Sequence, residues 1–116
     1  MTVSREAAEG APLECRVQFA GDTAVALPAG ELDFDTVVLV DGRLHAARAA
    51  GADEVVLDLG QTTFVDSAAL HLMLAWHERA RCERFAFALA RVPPRVRRVI
   101  DAAGIGAGLC FLSPEP

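Results

Sequence analysis

The residues of this chain best placed to do chemistry are the adjacent pair Asp66-Ser67 and His71, four positions beyond the serine. If a helix begins at Ser67, Ser67 and His71 share one of its faces. With an aspartate nearby, the three have the residue types of a Ser-His-Asp hydrolase, which also needs an oxyanion hole. The G-x-S-x-G elbow of one large hydrolase class is missing from the sequence. Two other chemistries suit the same residues. Asp and Ser are favoured helix N-caps, each worth ~1 kcal/mol through the amides they satisfy. A serine exposed at the start of a helix also suits a covalent switch, because helix amino ends tolerate an added anion.

Other candidate constellations fail on residue type or order. All eleven basic residues are arginine, so there is no P-loop lysine, no Schiff-base lysine and no lysine for a phospho-aspartate receiver. Asp58 and Asp66 flank one loop, but Asp58 falls inside an expected strand and has no such lysine partner. His77-Glu78 lacks the second histidine of H-E-x-x-H, and His71 and His77, six apart, point to different helix faces, so no metal site is expected. Gly104-Ile105-Gly106-Ala107-Gly108 follows a helix and leads into a strand, the reverse of what a phosphate-cradling loop requires. Cys15, Cys82 and Cys110 are odd in number and far apart, which suits reduced intracellular thiols and neither a disulfide framework nor a zinc site.

Charge excludes further partners. A net charge of −5 gives no overall field to gather nucleic acid or anionic lipid. Arg95, Arg97 and Arg98, near Arg91, form a local cluster read as a solvated helix face, and six phenylalanines with Trp76 make no stacking platform. Residues 1–14 lack the apolar run of a secretory signal. The apolar stretch Ala68–Trp76, interrupted by His71, is too short to insert in a membrane. The expected location is the cytoplasm.

The elements that must position Asp66-Ser67 alternate between strand and helix patterns in a chain of 116 residues, a one-domain length. Glu14–Ala20 and Ala24–Pro28, joined by Gly21-Asp22, predict an antiparallel hairpin. Val37, Val40, Leu44 and Ala47 set a helical period from Thr36 to about Ala50, stopped at Gly51. Glu54–Gly60 reads as a strand buried on both faces. A deep helix over Ser67 to about Arg81 follows, then a strand over Phe85–Val92. A helix opened by Pro93-Pro94 carries the stripe Val96, Val99, Ile100 and Ala103, and Leu109–Leu112 is a last short strand. The order β-β-α-β-α-β-α-β predicts an α/β fold with a mixed sheet, a parallel core with one antiparallel edge strand. Residues 1–13 and 113–116 are read as tails. In such sheets, sites gather where strand carboxyl ends meet helix amino ends. Gly30-Glu31-Leu32-Asp33 and Thr63-Phe64-Val65-Asp66-Ser67 both arrive there.

At this point the sequence resembles a family. Leu57-Asp58-Leu59-Gly60-Gln61-Thr62-Thr63-Phe64-Val65-Asp66-Ser67-Ala68-Ala69-Leu70 is similar to the signature of STAS domains of the anti-sigma factor antagonist type. Gly30-Glu31-Leu32-Asp33 is similar to the family's Gly-Glu/Asp-Leu/Ile-Asp, and Val92–Ile100 resembles the helix after its fourth strand. The resemblance spans about residues 14–112. It implies that Ser67 stands at the phosphorylated serine, with Asp66 shaping the site and Asp33 contributing from the adjacent loop. It also implies a non-enzymatic domain without cofactors that docks on an anti-sigma factor, itself a serine protein kinase. ATP and magnesium then belong to the kinase, and a phosphatase restores the serine. The docking surface implied is Gly30, Glu31, Asp33, Asp66, Ser67, Ala68, Ala69 and His71. This chain departs from the family where Ala68 replaces Ser/Thr, Ala69 replaces glycine and His71 replaces a small residue, and it has no evident final helix. An adaptor of a transporter ATPase or a signalling scaffold keeps the fold without the switch, and a small serine hydrolase is the remaining reading. Monomer and homodimer are both open.

Overall fold

The computed structural model describes residues 13–112, which leaves the two expected tails outside the description except for Leu13. Leu13 is buried, at 8% exposure, and so belongs to the core instead. The hairpin forms from β1 (Glu14–Ala20) and β2 (Thr23–Leu32), antiparallel from Glu14↔Ala29 to Ala20↔Thr23. β3 (Glu54–Asp58) pairs parallel with β2, and β5 (Ala86–Ala90) pairs parallel with β3. The sheet order is β1-β2-β3-β5, the expected parallel core with an antiparallel edge.

Two details of the sheet differ from the sequence pattern. β2 runs through Pro28 to Leu32, four residues past the expected end. Its extension is paired in parallel by β4 (Thr62–Val65), a strand the sequence pattern reads as loop, through Gly30↔Thr62, Glu31↔Phe64 and Leu32↔Val65. The register shifts between Gly30 and Glu31, and Gly30 takes φ = +120°, a conformation side-chain-bearing residues rarely adopt. The Thr62 hydroxyl, itself buried, donates to the carbonyl of Pro28 at 2.9 Å and fixes the crossing. The last expected strand, Leu109–Leu112, contracts to one parallel bridge, Leu89↔Phe111, after a 3-10 turn at Gly106–Gly108.

Three helices complete the domain. α1 (Val37–Ala49) buries Val40, Leu44 and Ala47, three of the four residues of its predicted stripe. α2 (Ser67–Glu83) buries Ala69, Leu72, Met73, Trp76 and Ala80. α3 (Pro94–Ala102) buries Val96 and Ile100 and leaves Val99 at 38% exposure. Trp76, at 1% exposure, lies edge-on to Phe85 and donates its Nε1–H to Asp41 of α1 at 2.8 Å. That bond satisfies the one polar group of the largest core side chain and locks α2 to α1. β3 carries Val55, Val56 and Leu57 at 4% exposure or less, as a central parallel strand should. None of the described helices is long and apolar enough to cross a membrane.

Candidate functional site

The site is built where β2 and β4 deliver their chains to α1 and α2. Leu32 and Val65, paired across the two strands, are buried at 0% and 3% exposure, so the loops that follow start from a fixed base. Past Leu32, Asp33 turns its carboxylate back onto the chain. Its Oδ1 accepts from the Asp35 amide at 3.0 Å and the Thr36 amide at 3.2 Å, and lies 3.1 Å from the Thr36 hydroxyl, whose shortest acceptor is the Glu31 carbonyl at 2.9 Å. The Asp33 amide in turn donates to Thr36 Oγ1 at 2.8 Å. Asp33 therefore serves first as the staple of the turn into α1.

Asp66 does two jobs with its two oxygens. Oδ1 accepts from the amides of Ala68 at 2.9 Å and Ala69 at 3.1 Å, which caps α2. Oδ2 accepts from the Phe34 amide at 3.0 Å, across to the other loop. The two segments that the sequence places at the strand ends are thus tied together by one carboxylate. Ser67, the first residue of α2, is exposed, and so are Glu31 and His71. Ala69 is fully buried and offers the site only its amide, so its side chain belongs to the core and not to a docking surface.

His71 forms no hydrogen bond to Asp33 or Asp66 among the described residues; both oxygens of Asp66 and the Oδ1 of Asp33 are engaged within the two loops. The histidine that does meet an aspartate is His45, 3.4 Å from Asp41 on the exposed side of α1. No cluster of His, Cys, Asp or Glu among the described residues has the grouping of a metal site. The three cysteines are unpaired: Cys15 is buried, and Cys82 and Cys110 are exposed.

Charge at this end of the sheet is one-sided. Glu31 near the end of β2 and Asp33, Asp35 and Asp66 in the two loops carry acidic charge, and no basic residue occurs at positions 17–42 or 49–70. Arg91, at the end of β5, is taken up by Asp58, with Nε 2.9 and 3.1 Å from the two carboxylate oxygens. Arg95 reaches the carbonyl of Thr63 at 3.4 Å. Sequence reasoning missed the apolar part of the site: Phe34 is 77% exposed, Val38 75% and Phe64 48%. The only hint was a phenylalanine held between two aspartates, Asp33-Phe34-Asp35, where a core residue is out of place.

Comparison with known proteins agrees with the fold. An anti-sigma factor antagonist from Mycobacterium paratuberculosis superposes with a TM-score of 0.78 at 21% identity, covering 89% of this chain and 87% of its own. The anti-sigma factor antagonist SpoIIAA in its unphosphorylated form gives 0.71 at 22% identity, over 86% of this chain and 89% of its own. The Bacillus cell fate determinant SpoIIAA in the phosphorylated form gives 0.66 at 19% identity, over 86% and 92%. No curated protein matches the sequence. The family profile described as "Mlab, STAS domain" matches residues 15–112, nearly the whole described chain, and the protein therefore belongs to the STAS domain family.

Proposed function

We propose that this STAS domain is an anti-sigma factor antagonist that works by partner switching, with Ser67 as its phosphoacceptor. The observation that carries the reading is the exposed hydroxyl of Ser67 at the first position of α2, on a platform that Asp66 holds rigid through both of its oxygens. In this reading the unmodified domain docks on an anti-sigma factor that is also a serine kinase. The kinase phosphorylates Ser67 with its own ATP and magnesium, and a phosphatase reverses the step. The domain itself turns nothing over.

The physics of the switch follows from local charge. A phosphate brings about −1.5 to −2 charges at neutral pH. The positive end of the α2 dipole favours it, while Asp66, which already occupies the amides of Ala68 and Ala69, and the neighbouring loop carboxylates oppose it. Modification therefore leaves the core untouched and changes the docking face, which takes in Gly30, Glu31, Asp33, Asp66, Ser67, Ala68 and His71. Ala68 and His71 shape the face differently from the usual family residues and set which kinase accepts it.

The test is affinity purification of the tagged full chain and its Ser67→Ala and Ser67→Asp variants from native cells, with mass spectrometry of partners and of the Ser67 peptide. An anti-sigma kinase that binds the unmodified chain and Ser67→Ala, and is lost from Ser67→Asp and from the phosphorylated form, supports the reading. A transporter ATPase or scaffold bound equally by all forms, with Ser67 never modified, overturns the switch and leaves a constitutive adaptor.

A further inference from the structure

Besides a serine, the two loops display an aromatic ring. Phe34 is the most exposed large apolar side chain among the described residues, and Val38 follows it at the start of α1. The ring stands out in solvent, yet its backbone is held from both sides. The Phe34 amide is bonded to Asp66 Oδ2, and Asp33 and Thr36 bracket the turn with the hydrogen bonds given above. An exposed ring on an ordered backbone has little conformational freedom left to lose on binding, which is the property of an interface anchor.

The charge around the ring selects its occupant. A second copy of this chain, presented face to face, would set Glu31, Asp33, Asp35 and Asp66 against the same four carboxylates, and Arg95, whose guanidinium lies on the Thr63 carbonyl, offsets only part of that charge. Nucleic acid and anionic membrane are disfavoured by the same field. What fits is a protein surface with an apolar pocket for the ring and an arginine or lysine rim for the carboxylates. We propose that Phe34 is the anchor of the docking face, seated in such a pocket, and that Asp66 is the positioning residue that couples it to Ser67. This rests on the Ser67 reading for its regulation, though not for the anchor itself.

The coupling follows from a shared set of donors. A phosphoryl group on Ser67 competes with Asp66 Oδ1 for the amides of Ala68 and Ala69. Because one rigid carboxylate also holds Phe34, displacing it from the helix start loosens the anchor. A basic rim would attract added negative charge, so phosphorylation releases the partner by freeing the ring's backbone and not by repulsion.

The test places the photo-crosslinker benzoylphenylalanine at position 34 of the full chain in native cells, maps the cross-linked peptide, and measures affinity for the purified protein that contains it. The expected result is one partner, cross-linked through a peptide carrying arginine or lysine beside apolar residues, with binding that weakens as ionic strength rises. Phe34→Ala weakens that binding roughly thirty-fold, the scale of an interface hot spot. Phe19→Ala, at the opposite end of the sheet, leaves it unchanged. Asp66→Asn weakens binding and speeds exchange of the Phe34 amide, whereas Val55→Ala, a core variant that destabilises elsewhere, does neither. Cross-linking to a second copy, to an acidic peptide or to nothing overturns the anchor, as does normal binding by Phe34→Ala. Normal binding by Asp66→Asn overturns the coupling. A partner without kinase activity, on a chain whose Ser67 is never modified, sinks the switch and leaves the anchor standing; phosphate on Ser67 with normal Phe34→Ala binding does the reverse.

Discussion

Asp66→Asn and Asp66→Ala separate the two oxygens of one carboxylate. In Asp66→Asn the amide oxygen can replace Oδ1 and keep accepting from Ala68 and Ala69, and Asn caps helices about as well as Asp. The amide nitrogen then faces the Phe34 N–H, donor against donor, and that bond is lost. The opposite flip would keep the Phe34 bond and forfeit both capping bonds, a worse exchange. A hydrogen bond to a charged acceptor is worth about 1.5–3 kcal/mol, and exposure reduces this one to about 1 kcal/mol. Removing the negative charge from the start of α2 adds about 0.3–1 kcal/mol. The total is about 1.5 kcal/mol for Asn, and about 2.5 kcal/mol for Ala once the cap of about 1 kcal/mol is also gone. With an unfolding entropy of about 2.1 cal/mol/K per residue over the 100 described residues, Tm falls by about 7 °C for Asn and about 12 °C for Ala. Thermal melts by circular dichroism, with hydrogen exchange at Phe34, read both effects. Equal losses in the two variants, or a Phe34 amide still protected in Asp66→Asn, would refute the division of labour between Oδ1 and Oδ2.

Further expectations follow from single features. Gly30→Ala puts a Cβ at φ = +120°, 3.4 Å from the Leu13 Cα, and costs about 1–3 kcal/mol, whereas Gly42→Ala inside α1 meets nothing and stabilises by about 0.5–1 kcal/mol; paired melts should move in opposite directions. Of the three thiols, Cys82 and Cys110 should react with Ellman's reagent in the native protein and Cys15 only on unfolding. Burial pushes the Cys15 thiol above its ordinary 9.0, so this residue's contribution is intact below that pH and is lost as pH rises through the raised value, because only the unfolded chain ionises readily; melts across the alkaline range check the sign. The hydrogen bond to Glu78 pushes the Cys82 thiol up as well, so Glu78→Gln should speed its alkylation at neutral pH. Ser67→Ala should change stability by no more than about 0.5 kcal/mol while abolishing any phosphorylation, since the side chain is exposed; a melt and a phosphopeptide map test both halves.

Much of this molecule is legible in its sequence because local pattern and tertiary demand agree. The run Glu54–Asp58 is apolar on both faces because it is central in the sheet, and Asp66-Ser67 reads as a helix start because Asp66 is the cap. β4 was not legible. Thr62–Val65 is four residues long and is a strand only because the far end of β2 lies beside it, a pairing set by tertiary register and not by its own alternation. Pro28 hid the rest of β2, since a residue without an N–H normally closes a strand, whereas here its carbonyl takes the Thr62 hydroxyl. At the site, Asp66 and Ser67 stand out by type and spacing, and Asp33 through the family resemblance. Their internal division of labour does not, because nothing in a sequence says which lone pair of Asp66 meets which amide. Nor does composition distinguish an exposed Phe34 from a core phenylalanine such as Phe87.

The bond from Asp66 to Phe34 ends on a main-chain N–H, and this bears on how such a domain can diverge. The platform is indifferent to the side chain at position 34, since every residue except proline supplies the same donor. Position 66 has no such freedom: it must accept in two directions at once, which asparagine cannot do. Recognition can therefore be rewritten at 34, one substitution at a time, while the scaffold that displays it stays fixed at 66. Duplicated copies in one cell could part company with a common partner this way, insulated from one another by a single exposed side chain.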